Sequence, residues 1–106
     1  MALFPANGGG GLITHKVVAK TVSVNGGGCA IYIDTSDLDN GKTLVGANIG
    51  NWSSNDAILV MPKNFTYNTD GHLLKISCYC INSPSGAWGW VSSATITINV
   101  DIWQMG

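Results

Sequence analysis

The chain has 106 residues, 45% of them hydrophobic, and a formal net charge of −1, which together fit one small domain. Every acidic residue is Asp and every basic residue is Lys, so the helix formers Glu and Arg are missing and a helical fold is disfavoured. The near-neutral charge without Arg argues against nucleic-acid binding, which needs clustered cations.

The N-terminal segment differs in composition from the rest of the chain. It contains four consecutive glycines, Gly8 to Gly11, so we expect residues 1–12 to be a flexible attachment arm and residues 13–106 to be the domain. The arm lacks the basic start and apolar centre of a signal peptide, and no run approaches the roughly 18 apolar residues of a membrane helix. The sequence therefore predicts folding in a cytoplasm, without membrane insertion.

The first two strands are predicted on either side of a glycine-rich turn. Residues His15 to Val24 and Cys29 to Asp34 are rich in β-branched and apolar side chains. Between them, Asn25 to Gly28 supply the positive φ angles that a tight hairpin requires. We expect the two strands to pair antiparallel.

A cluster of aspartates follows the second strand. Asp34, Asp37 and Asp39 lie among turn-forming residues, an arrangement that suggests calcium. The spacing does not fit an EF-hand, and the chain has no Glu to close such a loop. We interpret the segment as a solvated turn without a metal or cofactor, with an irregular cation site as the alternative.

The middle of the chain combines a strand, a polar loop and an apolar run. Leu44 to Gly50 is strand-like, and Asn51 to Asp56 is polar. Ala57 to Met61 is apolar without alternation, which is typical of a strand buried on both faces. We expect Leu59 or Met61, or both, to face a neighbouring subunit, and Pro62 with Lys63 to end the run.

The last third of the chain carries the clearest β pattern. Alternation of apolar and polar residues marks His72 to Ile81 and Ala94 to Trp103 as half-buried strands, separated by a long loop from Asn82 to Ser93. Cys78 and Cys80 fall on the apolar face, so free buried thiols are predicted. With about seven to eight short strands, the chain is predicted to be an all-β, antiparallel β-sandwich of jelly-roll type.

The same segments carry a family resemblance. Gly41 to Gly50, Tyr79 to Asn82 and the closing strand Ala94 to Trp103 resemble the small β-sandwich domains that end many phage and prophage tail, baseplate and head-fibre proteins. The resemblance covers roughly residues 15–104 and is one of pattern. It implies a homotrimeric structural or adhesion subunit located in the virion, with other virion proteins and host surface carbohydrate as partners. A secreted bacterial lectin-like or adhesin module is the alternative.

Catalysis is not expected, and no catalytic residue is assigned. Three tryptophans are a better indication of function, because each lies among residues that keep loops solvated and presents a flat apolar face with one hydrogen-bond donor. The predicted glycan-binding residues are Trp52, Trp88 and Trp90, with Asn51, Asn55 and Asn82 as hydrogen-bond partners. The alternative is that these tryptophans cap the sandwich or fill a trimer interface.

Overall fold

The computed structural model describes residues 12–53, 58–82 and 89–106, and these form an all-β, antiparallel fold. The strands are β1 (Ile13–Asn25), β2 (Gly28–Ile33), β3 (Thr43–Ser53), β4 (Ile58–Thr69), β5 (His72–Asn82), β6 (Gly89–Trp90) and β7 (Ser93–Met105). A 3₁₀ turn at Thr35–Asp37 lies between β2 and β3. Within the described ranges, no helix has the length and apolarity needed to traverse a bilayer.

The strands form one curled sheet. Six of them follow one another in the order β3-β7-β1-β2-β5-β4, and β6 pairs with β5. Each of these pairings is antiparallel. The all-β, antiparallel class that the sequence predicts is therefore confirmed, whereas the sandwich and jelly-roll assignment stays a prediction.

The sheet bends at the turn between β1 and β2. β1 pairs with β7 over its whole length, but with β2 only at Asn25 and Gly28, and β2 then pairs with β5. The predicted antiparallel neighbours are thus present, but they diverge directly after the turn. The divergence produces two halves, one made of β3, β7 and β1 and the other of β2, β5 and β4 with the short β6 beside β5.

Both halves contribute alternate residues to one hydrophobic core. The predicted alternation is confirmed in β7, where Ile96 to Ile102 are buried at every second position, and in β5, where Leu74 to Cys80 are. Among the residues that the structure describes, the buried apolar set is Val24, Ile31, Ile33, Ile58, Val60, Leu74, Ile76, Cys78, Cys80, Val91, Ile96, Ile98, Val100 and Ile102. Burying one such aliphatic side chain stabilises the fold by about 1.5–3 kcal/mol.

The fourth strand differs from its prediction. Pro62 and Lys63 do not end it, because the register shifts between Pro62 and Asn64 and pairing with β5 continues to Thr69. A bulge accommodates a proline, which has no N–H to donate to a ladder. Within β4, burial alternates from Ile58 to Met61, so this run is not buried on both faces within the subunit; Ala57 lies outside the described residues.

The turn with Asp37 and Asp39, which the sequence predicts to be solvated, is instead bonded to strand β1. The Lys20 ammonium donates to both carboxylate oxygens of Asp37, at 2.8 and 2.7 Å, and the Asp37 side chain is only 11% exposed. Gln104, which is buried, accepts from the Asp39 backbone N–H and donates to its carboxylate. Hydrogen bonds from Lys16 and then Gln104 lower the pKa of Asp39. Among the described residues, no group of three or more His, Cys, Asp or Glu side chains is placed to hold a metal ion.

Candidate functional site

The structure places the predicted tryptophans in different environments. Trp52 is half-buried in β3, and Trp90 is 62% exposed in β6. Trp88 and Asn55 lie outside the described residues. Trp52 and Trp90 therefore do not form one site: Trp52 packs inward, and Trp90 faces solvent.

Trp52 is held by contacts within the chain. Its indole N–H donates to the carbonyl oxygen of Ile58 at 2.7 Å, and its ring packs against the core. This bond joins β3 to the start of β4, across residues 54–57. A buried indole N–H needs such a partner, so the contacts of Trp52 are those of a structural residue.

The other residues predicted to bind a glycan or form an interface also lie in different places. Asn51 is exposed on β3, where its side-chain carbonyl accepts a bond from the Asn99 amide at 2.6 Å. Asn82 ends β5 opposite Gly89. Leu59 and Met61 are partly exposed on β4, and their role as an interface stays a prediction.

An open cleft lies beside Trp90. Its volume is about 340 Å³, which is within the range of small-molecule sites. The lining residues come from the β1–β2 turn, the β4 bulge, β5 and β6: Asn25, Gly26, Gly27, Gly28, Cys29, Lys63, Ser77, Cys78, Tyr79 and Trp90. Trp52 is not among them.

The β1–β2 turn forms one wall of the cleft and positions Trp90. Gly27 has φ +83°, and a Cβ placed there would lie 2.7 Å from Cε3 of Trp90. The indole therefore packs directly on bare backbone. The Gly27 N–H donates to the Val91 carbonyl at 2.7 Å, and its carbonyl accepts from the Cys80 N–H at 2.9 Å. Val91, which follows Trp90 in the chain, is buried and therefore holds Trp90 in position.

Tyr79 and Lys63 complete the exposed part of the site. The Tyr79 and Trp90 rings lie 5.4 Å apart between centroids at an interplanar angle of 45°. The Lys63 ammonium lies 5.3 Å from the Tyr79 ring centroid, close enough for a cation–π interaction. The cleft thus combines two aromatic rings, one cation and the polar side chains of Asn25 and Ser77, and among the described lining residues no carboxylate balances the cation.

Of the residues that line the cleft, the sequence-based prediction includes Trp90 but not Tyr79, Lys63 or Gly27. Tyr79 alternates with the inward cysteines, so its outward orientation follows from the strand pattern. Lys63 reaches the cleft because of the bulge after Pro62, and no local pattern indicates that bulge. The predicted turn already accounts for glycine at position 27, which has φ +83°, but its contact with Trp90, more than 60 residues away in the chain, has no local signal.

Both histidines interact with aspartates. His15 Nε2 lies 2.7 Å from Asp101 on neighbouring strands, and His72 Nδ1 lies 2.6 Å from Asp34. His72 also stacks on Tyr32. These contacts connect strands β1 and β7 and hold the end of β2 to the start of β5, so the histidines have a structural role apart from the cleft.

Comparison of the sequence with protein-family models finds no matching family, and comparisons with curated proteins and with solved structures find no match.

Proposed function

We propose that the protein is a structural and adhesion subunit or terminal domain of a phage or prophage particle, in a tail, baseplate or head fibre, and that the cleft beside Trp90 binds host surface carbohydrate. The observation that carries the binding proposal is the exposed Tyr79–Trp90 pair over a cavity with polar walls. Aromatic faces pack against the apolar C–H faces of sugar rings, while neighbouring polar groups bond the hydroxyls. The placement in a particle depends on the family resemblance.

Lys63 favours an acidic sugar as the ligand. Its ammonium is the one charge in the described lining of the cleft, so a carboxylate or sulfate on the saccharide would gain an ion pair there. A partly exposed pair of this kind contributes about 0.2–1 kcal/mol. We expect the preference for acidic over neutral sugars to be several-fold and to weaken as salt is added.

The test is binding to an array of neutral and acidic glycans. Trp90→Ala is expected to weaken binding about tenfold, because the stacking of one ring contributes about 1.5 kcal/mol. Trp103→Ala is the matched control, since Trp103 is also exposed, at 38%, but lies on β7 against His15. Equal binding by wild type and Trp90→Ala, or loss in Trp103→Ala alone, contradicts the cleft as the binding site.

We also propose that the subunit is a homotrimer and that its curled sheet is a sandwich of jelly-roll type. The support for self-association is β4, an edge strand in the described sheet, with Leu59, Met61, Phe65 and Tyr67 all at least 36% exposed. Unprotected apolar edges associate with other strands. Light scattering at micromolar concentration is expected to give the trimer mass, and a monomer mass contradicts this assembly.

The alternative is a lectin-like or adhesin module of a secreted bacterial protein, which would use the same cleft. The phage-particle and secreted-module proposals predict different neighbouring genes, and only the second predicts that the gene encodes a signal peptide. Virion genes beside this one favour the particle, and a signal peptide favours the secreted module.

A further inference from the structure

The three cysteines gather at one place on the inner side of the sheet. Cys29 is the second residue of β2 and lies opposite Cys78 of β5 in the register. The Cys29 sulfur is 3.6 Å from the Cys80 sulfur, while the Cys78 sulfur lies 4.0 Å from the Ile76 carbonyl oxygen. All three are free thiols. The contact between the Cys29 and Cys80 sulfurs therefore joins β2 to β5.

We propose that Cys29 and Cys80 are an oxidisable pair, which a hydroperoxide converts into a disulfide that crosslinks β2 to β5. Bond formation requires the sulfurs to approach from 3.6 Å to about 2.05 Å. Diagonal neighbours in a sheet are roughly 7–8 Å apart between Cα atoms, which is beyond the usual range of about 4.4–6.8 Å for a disulfide, so the backbone must move to bring the two residues closer. Cys29 directly follows Gly26 to Gly28, and glycine backbone adapts most easily.

The oxidation proceeds in two balanced steps. Cys29 is partly exposed, whereas Cys80 is fully buried, so Cys29 meets the peroxide first. Its thiolate attacks one peroxide oxygen, the O–O bond breaks, hydroxide leaves and a sulfenic acid forms. The Cys80 thiolate then attacks the Cys29 sulfur, the S–O bond breaks and a second hydroxide leaves. The protons of the two thiols convert both hydroxides to water, so one hydrogen peroxide is reduced as two thiols are oxidised.

The environment of the pair makes this reaction slow at neutral pH. The neighbouring Cys78 thiol and then burial raise the pKa of Cys29, and burial raises the pKa of Cys80 to about 12. Because only the thiolate attacks, the rate is expected to rise about tenfold per pH unit between pH 7 and 9. The pair therefore responds to sustained oxidation. Cys29 lines the cleft, but the proposal does not depend on carbohydrate binding there.

The experiment treats the full chain with hydrogen peroxide at pH 8 and maps the crosslink by mass spectrometry without reduction. Cleavage after Tyr79 separates Cys78 from Cys80, so chymotryptic peptides identify the partner of Cys29. The expected result is a Cys29–Cys80 peptide within one chain, retained in Cys78→Ala and absent in Cys80→Ala. A higher denaturation midpoint in the oxidised protein is also expected, because the crosslink restricts the unfolded chain.

If a variant fails to fold, the peptide map of the oxidised wild-type protein still identifies the disulfide partner of Cys29. A Cys29–Cys78 peptide, a link between two chains, or three cysteines that stay reduced or become sulfinic acids without a link each overturn the proposal. A rate that does not change between pH 7 and 9 overturns the assignment of the raised pKa values to the reacting thiols.

Discussion

Trp52 and Trp90 occur in similar sequence surroundings, yet the fold uses them in opposite ways. Trp52 donates its indole N–H to Ile58 and packs on the core. Trp90 rests one face on Gly27 and leaves the ring 62% exposed. The difference arises from tertiary neighbours, and it teaches that an aromatic residue among polar residues is ambiguous until the opposing strand is known.

Removal of Trp52 is expected to cause the largest loss of stability. Trp52→Ala removes a half-buried ring and leaves the Ile58 carbonyl without its partner, at a cost of about 3 kcal/mol. Trp52→Phe keeps most of the packing and is expected to cost about 1 kcal/mol, the contribution of one hydrogen bond. Urea denaturation measures both. If the two variants are as stable as wild type, Trp52 is not structural.

Substitution at Gly27 tests how the turn positions Trp90. Gly27→Ala places a methyl group against the indole at a positive φ, and we expect a loss of about 2 kcal/mol. Gly41→Ala is the matched control, because Gly41 has φ +79° with nothing within 4 Å of an added Cβ. The difference between the two variants isolates the contact with Trp90, and equal losses would show that the contact is not important for stability.

Much of the fold follows from the sequence, and the exceptions have physical causes. The central strands β5 and β7 are predictable because one buried face imposes strict alternation on them. The edge strand β4 is not, because a bulge at Lys63 interrupts its register. Burial of Gln104 and Asp37 also escapes prediction, since each depends on a partner elsewhere in the chain.

The candidate site is less predictable than the fold. The sequence leaves open whether the tryptophans contact a ligand or have a structural role, and the exposure of Trp90 agrees with the first interpretation. Its neighbours Tyr79 and Lys63 come from other strands, so they meet only after β4, β5 and β6 are aligned. The composition of the cleft is therefore determined by pairing between strands more than by any local motif.

Removal of Trp90 is expected to have the smallest effect on stability. Trp90→Ala loses contacts with Tyr79 and Gly27 but exposes little new core, so we expect a change below about 1 kcal/mol. Thermal denaturation beside Trp52→Ala provides the comparison. A loss as large as that of Trp52→Ala would mean that Trp90 supports the fold and is not kept for binding.

The most direct measurement of the central claim is an NMR titration of the tryptophan indole N–H signals with an acidic oligosaccharide, with the signals assigned from Trp→Phe variants. Trp90 is expected to shift progressively and to saturate, with a weaker response in Lys63→Gln, while Trp52 stays unchanged because its N–H is bonded to Ile58. A shift of Trp52 or Trp103 without a shift of Trp90, or no shift of any indole with saccharides that the protein binds, would contradict the cleft as the binding site.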